Sequence, residues 1–169
     1  MKEHALPTGP IASSLPLLGN WYAIPLRLVV GFGFFQHGYA KLARGSDGFV
    51  GILHAIGVPF PTLLGLTTII TEIVGGVMIA LGALVPLATV PMLVILLVAT
   101  LTVHLPNGFS SIKLVSYDAA GAHFGQPGYE TDLLYMAALL ALSIGGAGPL
   151  SVDEYLKRRR RYSGAATLS

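Results

Sequence analysis

The sequence predicts an all-α membrane protein, a bundle of four transmembrane helices, and three observations lead there. Hydrophobic residues make up 53% of the chain and charged residues 11%, with a mean hydropathy of +0.71, whereas a soluble domain carries about 25% charge. Apolar stretches recur at about Trp21 to Ala40, Pro61 to Gly82, Leu84 to His104 and Thr131 to Gly148, each near the roughly 20 residues that a crossing needs. The run Leu93–Val94–Ile95–Leu96–Leu97–Val98–Ala99 is apolar on every face, which suits a lipid-embedded helix and not the alternating strand of a membrane barrel.

Each element has a sequence signature. Residues 1–19 contain Pro7, Pro10 and Pro16 between short apolar runs. They lack the apolar core and cleavage site of a secretory signal and are expected to form a flexible lead. Residues 20–153 form the membrane domain. Pro25, Pro61, Pro86 and Pro91 fall near helix starts, where a missing N–H costs least; Pro91 is also placed to kink its helix. The glycine pairs Gly31/Gly33 and Gly75/Gly76, with Gly145/Gly146/Gly148, let backbones approach closely, as lipid-embedded helices require. The segments from about Lys41 to Phe60 and Leu105 to Glu130 read as long outer loops, the second able to lie at the membrane interface, and Ala83 to Val85 as a tight inner turn.

Charge sets the orientation. Of ten Lys and Arg, five lie in Lys157 to Arg161; with Lys2 they face Lys41, Arg44 and Lys113 on the opposite side. The bias of Lys and Arg towards the cytoplasm therefore puts both termini inside, with residues 154–169 as a basic tail beside anionic lipid. A bacterial inner-membrane, multi-pass location is expected. Concentrating the positive charge in a tail leaves no nucleic-acid footprint. There is no cysteine, so a thiol nucleophile, a disulfide relay, an iron–sulfur cluster and a thiolate metal site are excluded.

Polar residues inside apolar runs mark the candidate sites. Arg27 and Glu72 are charged groups in predicted spans, where each costs about 2.5–3.5 kcal/mol on insertion scales. At 1.5 Å per residue they lie about 10 Å and about 15 Å from the inner end, and the pattern predicts an ion pair between them, either a structural register pin or a group that binds ligand or handles protons. A second set, Gln36, His37, Lys41, His104, Glu130 and Asp132, gathers at span ends on the outer side and predicts a polar chamber there. His37 and Lys41, at i and i+4, share a helix face. No metal site is expected, and haem ligation by His37 and His104 is disfavoured because both sit at helix ends with no deeper histidine pair. Ser110 and Ser111 lack the strand-turn-helix context of a nucleophile, and the glycine pairs lie within helices and not in a phosphate loop.

Arg27–Leu28 followed by Gly31–Phe32–Gly33–Phe34–Phe35–Gln36–His37–Gly38–Tyr39–Ala40–Lys41–Leu42 resembles the first-helix pattern of the DoxX family of small four-helix bacterial inner-membrane proteins. Glu72–Ile73–Val74–Gly75–Gly76 with Leu81–Gly82 resembles its second helix. His104–Leu105–Pro106–Asn107–Gly108–Phe109 resembles the segment leaving its third helix, and Gly146, Gly148, Ser151 and Asp153 its closing motif. The resemblance extends over about Trp21 to Asp153. It implies an accessory or binding subunit for membrane redox or quinone-related stress chemistry, with no cofactor of its own and quinone as the candidate ligand.

On that reading Lys41 polarises a quinone oxygen and a histidine exchanges the proton, so the chain serves a membrane oxidoreductase system and is not an autonomous enzyme. The bilayer, membrane or periplasmic redox proteins and a second copy of the chain are the expected partners. A small-molecule transporter or channel is the alternative, disfavoured because no inverted repeat is visible. A purely structural assembly subunit is the other.

Overall fold

A computed structural model describes residues 20–166, with side chains to residue 160; the expected N-terminal lead lies outside the described residues. Helix α1 runs over Ala23–Ala43, α2 over Ser46–Ala55, α3 over Pro61–Leu81 and α4 over Val85–Ala99. Helix α4 continues through a π turn, Thr100–His104, and a 3₁₀ turn, Leu105–Asn107. Strands β1 (Leu114–Asp118) and β2 (Gly121–Phe124) form an antiparallel hairpin, followed by α5 (Glu130–Gly145) and α6 (Val152–Ala166).

Helices α1, α3, α4 and α5 each pack against two of the others and close a four-helix ring. Its centre holds Val30, Phe34, Ile79, Val85, Met92, Leu139 and Leu142. The tightest crossing joins α1 to α3, because small residues meet there: a Cβ at Gly31 would stand 2.6 Å from the Gly76 carbonyl oxygen. At the same crossing, a Cβ on Gly38 would stand 2.9 Å from the Glu72 Cβ. The outside of the ring is as apolar as its inside, with Val29, Phe32, Ile70, Leu87, Val90, Leu134 and Ile144 all exposed. An apolar exterior on this scale marks a surface that meets something other than water. Helix α3 and the continuous stretch Val85–Asn107 are each long and apolar enough to cross a membrane.

Two expectations change. The segment from Lys41 to Phe60 is not an irregular loop: Phe49, Ile52, Leu53 and Ile56 recur at helical spacing and fold it into α2. Helix α2 lies on α3 where Gly65 makes room for Val50. The segment after α4 likewise contains the β1–β2 hairpin. Turn chemistry explains it, since Asp118 accepts a hydrogen bond from the Ala120 N–H at 2.7 Å and Gly121 takes φ 124°, where glycine is at ease.

Candidate functional site: an ion pair at the wall of an apolar cavity

The predicted Arg27–Glu72 pair does not form. Helices α1 and α3 run antiparallel with Gly38 beside Glu72, and the Arg27 guanidinium lies by Gly82, whose Cβ position is 3.0 Å from Nη1. Arg27 and Gly38 are eleven positions apart, which corresponds to about 16 Å of helix. That separation exceeds the reach of an arginine.

Glu72 pairs instead with Lys41, whose Nζ donates to Oε1. Lys41 leaves the last turn of α1, crosses to α3 and lies over the Phe49 ring of α2, 4.5 Å from its centre, a cation–π placement. Glu72 is buried, and its second oxygen, Oε2, has no hydrogen-bond partner among the described residues. A buried acceptor left unmade carries a desolvation penalty of about 1–3 kcal/mol, more when charged.

Both residues line a cavity of about 460 Å³ between α2, α3 and α4. Its walls are mainly apolar, including Leu53, Pro91, Ile95 and Val98, with Thr67, Thr68 and Thr71 along α3. Several lining side chains, among them Ile52, Val94, Val98 and Val103, are also exposed on the outer surface, so the cavity opens sideways between helices. The volume falls in the range of small-molecule pockets, which are mostly apolar with a few placed polar groups.

The predicted outer chamber divides. Lys41 belongs to the cavity. His104 and Asp132 form a separate cluster: Asp132 Oδ2 meets His104 Nδ1 at 2.5 Å and accepts the Thr100 hydroxyl at 2.9 Å, the wide π turn placing both partners on one oxygen. Glu130 accepts the Ser111 N–H at 3.0 Å and anchors the hairpin loop. Gln36 and His37 point outward from α1 and join neither group. The division follows from helix geometry, because at about 100° per residue Gln36 lies opposite the buried stripe of Arg27, Val30, Phe34 and Gly38.

At the other end of the bundle the closing motif assembles around Arg27. Nη1 and Nη2 donate to the carbonyls of Ala147 and Leu150, each at 2.7 Å. Gly146 and Gly148 take φ 87° and 71° and turn the chain between α5 and α6. The Ser151 hydroxyl donates to the Gly148 carbonyl at 2.7 Å and accepts the Glu154 N–H. Asp153 then accepts the N–H groups of Leu84 and Val85 at 2.8 and 3.1 Å, capping α4 from α6. Leu84, at φ 49°, is in the left-handed region that costs a non-glycine residue about 1 kcal/mol or more, and the Asp153 bond holds it there.

Sequence reading missed α2 and the threonine wall. The wall had a signal, since Thr67/Thr71 and Thr68/Glu72 fall at i and i+4 in an otherwise apolar run.

The DoxX family model matches residues 23–105, from the start of α1 to the first residue of the 3₁₀ turn. The chain belongs to the DoxX family. A relative, an uncharacterized membrane protein of Mycobacterium tuberculosis (strain ATCC 25618 / H37Rv), is 31% identical over 166 residues, covering 94% of this chain and 98% of its own length. No solved structure matches the chain. The DoxX match contains Arg27, Lys41, Glu72 and His104 but stops before α5, whereas the alignment with the mycobacterial relative covers 94% of this chain. The apolar exterior is thus that of a DoxX membrane protein, in contact with lipid.

Proposed function

We propose that this DoxX protein binds a lipid-soluble small molecule with a hydrogen-bonding head, of the quinone or quinol class, in the α2–α3–α4 cavity, as an accessory subunit for membrane redox or stress chemistry. The unpartnered Oε2 of Glu72, beside Lys41 in an otherwise apolar wall, is the observation that carries this reading. Lys41 has further N–H groups to donate to a quinone oxygen, and Oε2 accepts from a quinol hydroxyl, so one pair serves both forms of such a ligand. This replaces the histidine of the sequence-based scheme with Glu72. The sideways opening suits entry from the bilayer.

In this reading all four long helices cross the inner membrane. Helices α1 and α5 carry their charges on inward faces, and both termini lie in the cytoplasm beside the basic α6.

The test is equilibrium binding of a short-chain naphthoquinone to the purified full chain in mild detergent. Saturable binding is expected, weakened about ten- to a hundredfold in Glu72→Gln and Lys41→Met, the equivalent of one charged hydrogen bond. A parent protein that binds no quinone, or variants that bind as tightly as the parent, overturns it.

A further inference from the structure

Gln36 makes no hydrogen bond among the described residues, and it lies on the outward face of α1, seven positions from the helix end. On the reading that α1 crosses the membrane, this places a primary amide roughly 10 Å inside the apolar layer. An amide without a partner there is costly, and such groups pair across helices.

The residues around Gln36 form a pattern. Pro25, Val29, Phe32, Gln36, Tyr39 and Ala43 are all exposed and follow one another at spacings of four and three. That is the alternation of a helix–helix seam, with Gln36 near its middle in the position equivalent to Val29 and Ala43. One polar residue at such a position sets register and partner number in paired helices. The stripe lies opposite the buried face of α1, so it is not used in packing the bundle.

We infer that the α1 stripe is the interface with a second copy of this chain, the two α1 helices lying parallel with Gln36 against Gln36. Chemistry favours a copy of itself. A glutamine amide both donates and accepts, so across a two-fold axis each satisfies the other. Two chains inserted in the same orientation are related by an axis along the membrane normal, which keeps their α1 helices parallel and brings each residue against its own counterpart.

The natural absence of cysteine allows the test in native membranes with the full chain. Val29→Cys, Phe32→Cys and Tyr39→Cys, made singly, are expected to form disulfide-linked dimers on mild oxidation, while Ile70→Cys, exposed on α3, is not. Adding Gln36→Leu to Phe32→Cys should weaken association about five- to thirtyfold, and Gln36→Asn should largely retain it.

Crosslinking at Ile70→Cys as strong as on α1, linkage only to a protein of another size, or no linkage along the stripe overturns the inference. Labelling Phe32→Cys with a water-soluble maleimide separates the two readings. Labelling shows that α1 does not cross the membrane, whereas protection without crosslinking refutes the dimer and leaves the crossing intact.

Discussion

Gly38 of α1 lies so close to Glu72 of α3 that a Cβ on the glycine would stand 2.9 Å from the glutamate Cβ. This contact sets the level at which the glutamate meets α1, and so makes Lys41 its partner in place of Arg27.

The close crossing is sensitive to one methyl group. At Gly31 a Cβ would meet the Gly76 carbonyl oxygen and the Ala80 nitrogen at 2.6 Å, both backbone atoms. Gly31→Ala is expected to push α1 from α3 and destabilise the fold by about 1–3 kcal/mol, as overpacking does. Gly48→Ala, which meets nothing within 4 Å, should stay near the parent. Thermal unfolding in detergent compares the two; equal midpoints would refute the crossing.

Breaking the Lys41–Glu72 pair from the lysine side leaves a buried carboxylate without its partner. Lys41→Met should therefore destabilise by about 3–5 kcal/mol, while Lys41→Met combined with Glu72→Leu recovers much of the loss, since an apolar replacement of a buried pair is often neutral. A double-mutant cycle on denaturant unfolding checks this, and strict additivity of the two single changes would contradict the pairing.

The closing motif acts through Arg27 and Asp153. Asp153→Ala removes the acceptor for Leu84 and Val85 at the start of α4 and should lower stability by about 1–2 kcal/mol, as the loss of a helix cap does. Arg27→Lys cannot reproduce the two-pronged contact with Ala147 and Leu150. It should raise the rate of proteolytic cleavage between α5 and α6, measured in native membranes.

In the hairpin, the Ala120 N–H and then His123 hold the Asp118 carboxyl below the usual range. A carboxyl lowered in the folded state adds stability at pH above its unfolded value, and loses it as pH falls through the folded value. Amide exchange at Ala120 should thus show less protection as pH falls below about 4, after correction for intrinsic rates. Asp118→Asn should remove that dependence.

The local properties of the chain were legible in its sequence. Long apolar runs declare helices, because a lipid-embedded backbone satisfies its own hydrogen bonds most simply within one segment. Glycine pairs within the spans predicted close backbone approach without naming the helices that meet, and the resemblance to the DoxX family singled out Gly146, Gly148, Ser151 and Asp153. Even the burial of the charges at Arg27 and Glu72 followed from their places inside apolar runs.

Tertiary structure alone decided which groups meet. Partnership between helices depends on their relative height and rotation, both set by contacts at Gly31, Gly38 and Gly76 with residues distant in sequence. That height separated Arg27 from Glu72 and gave each a different role, one clasping the chain between α5 and α6, the other facing Lys41 at the cavity. Rotation of α1 set Gln36 opposite its buried stripe, while Lys41, one turn beyond the exposed His37, reached Glu72 on α3, and so residues that are close in sequence ended on separate surfaces.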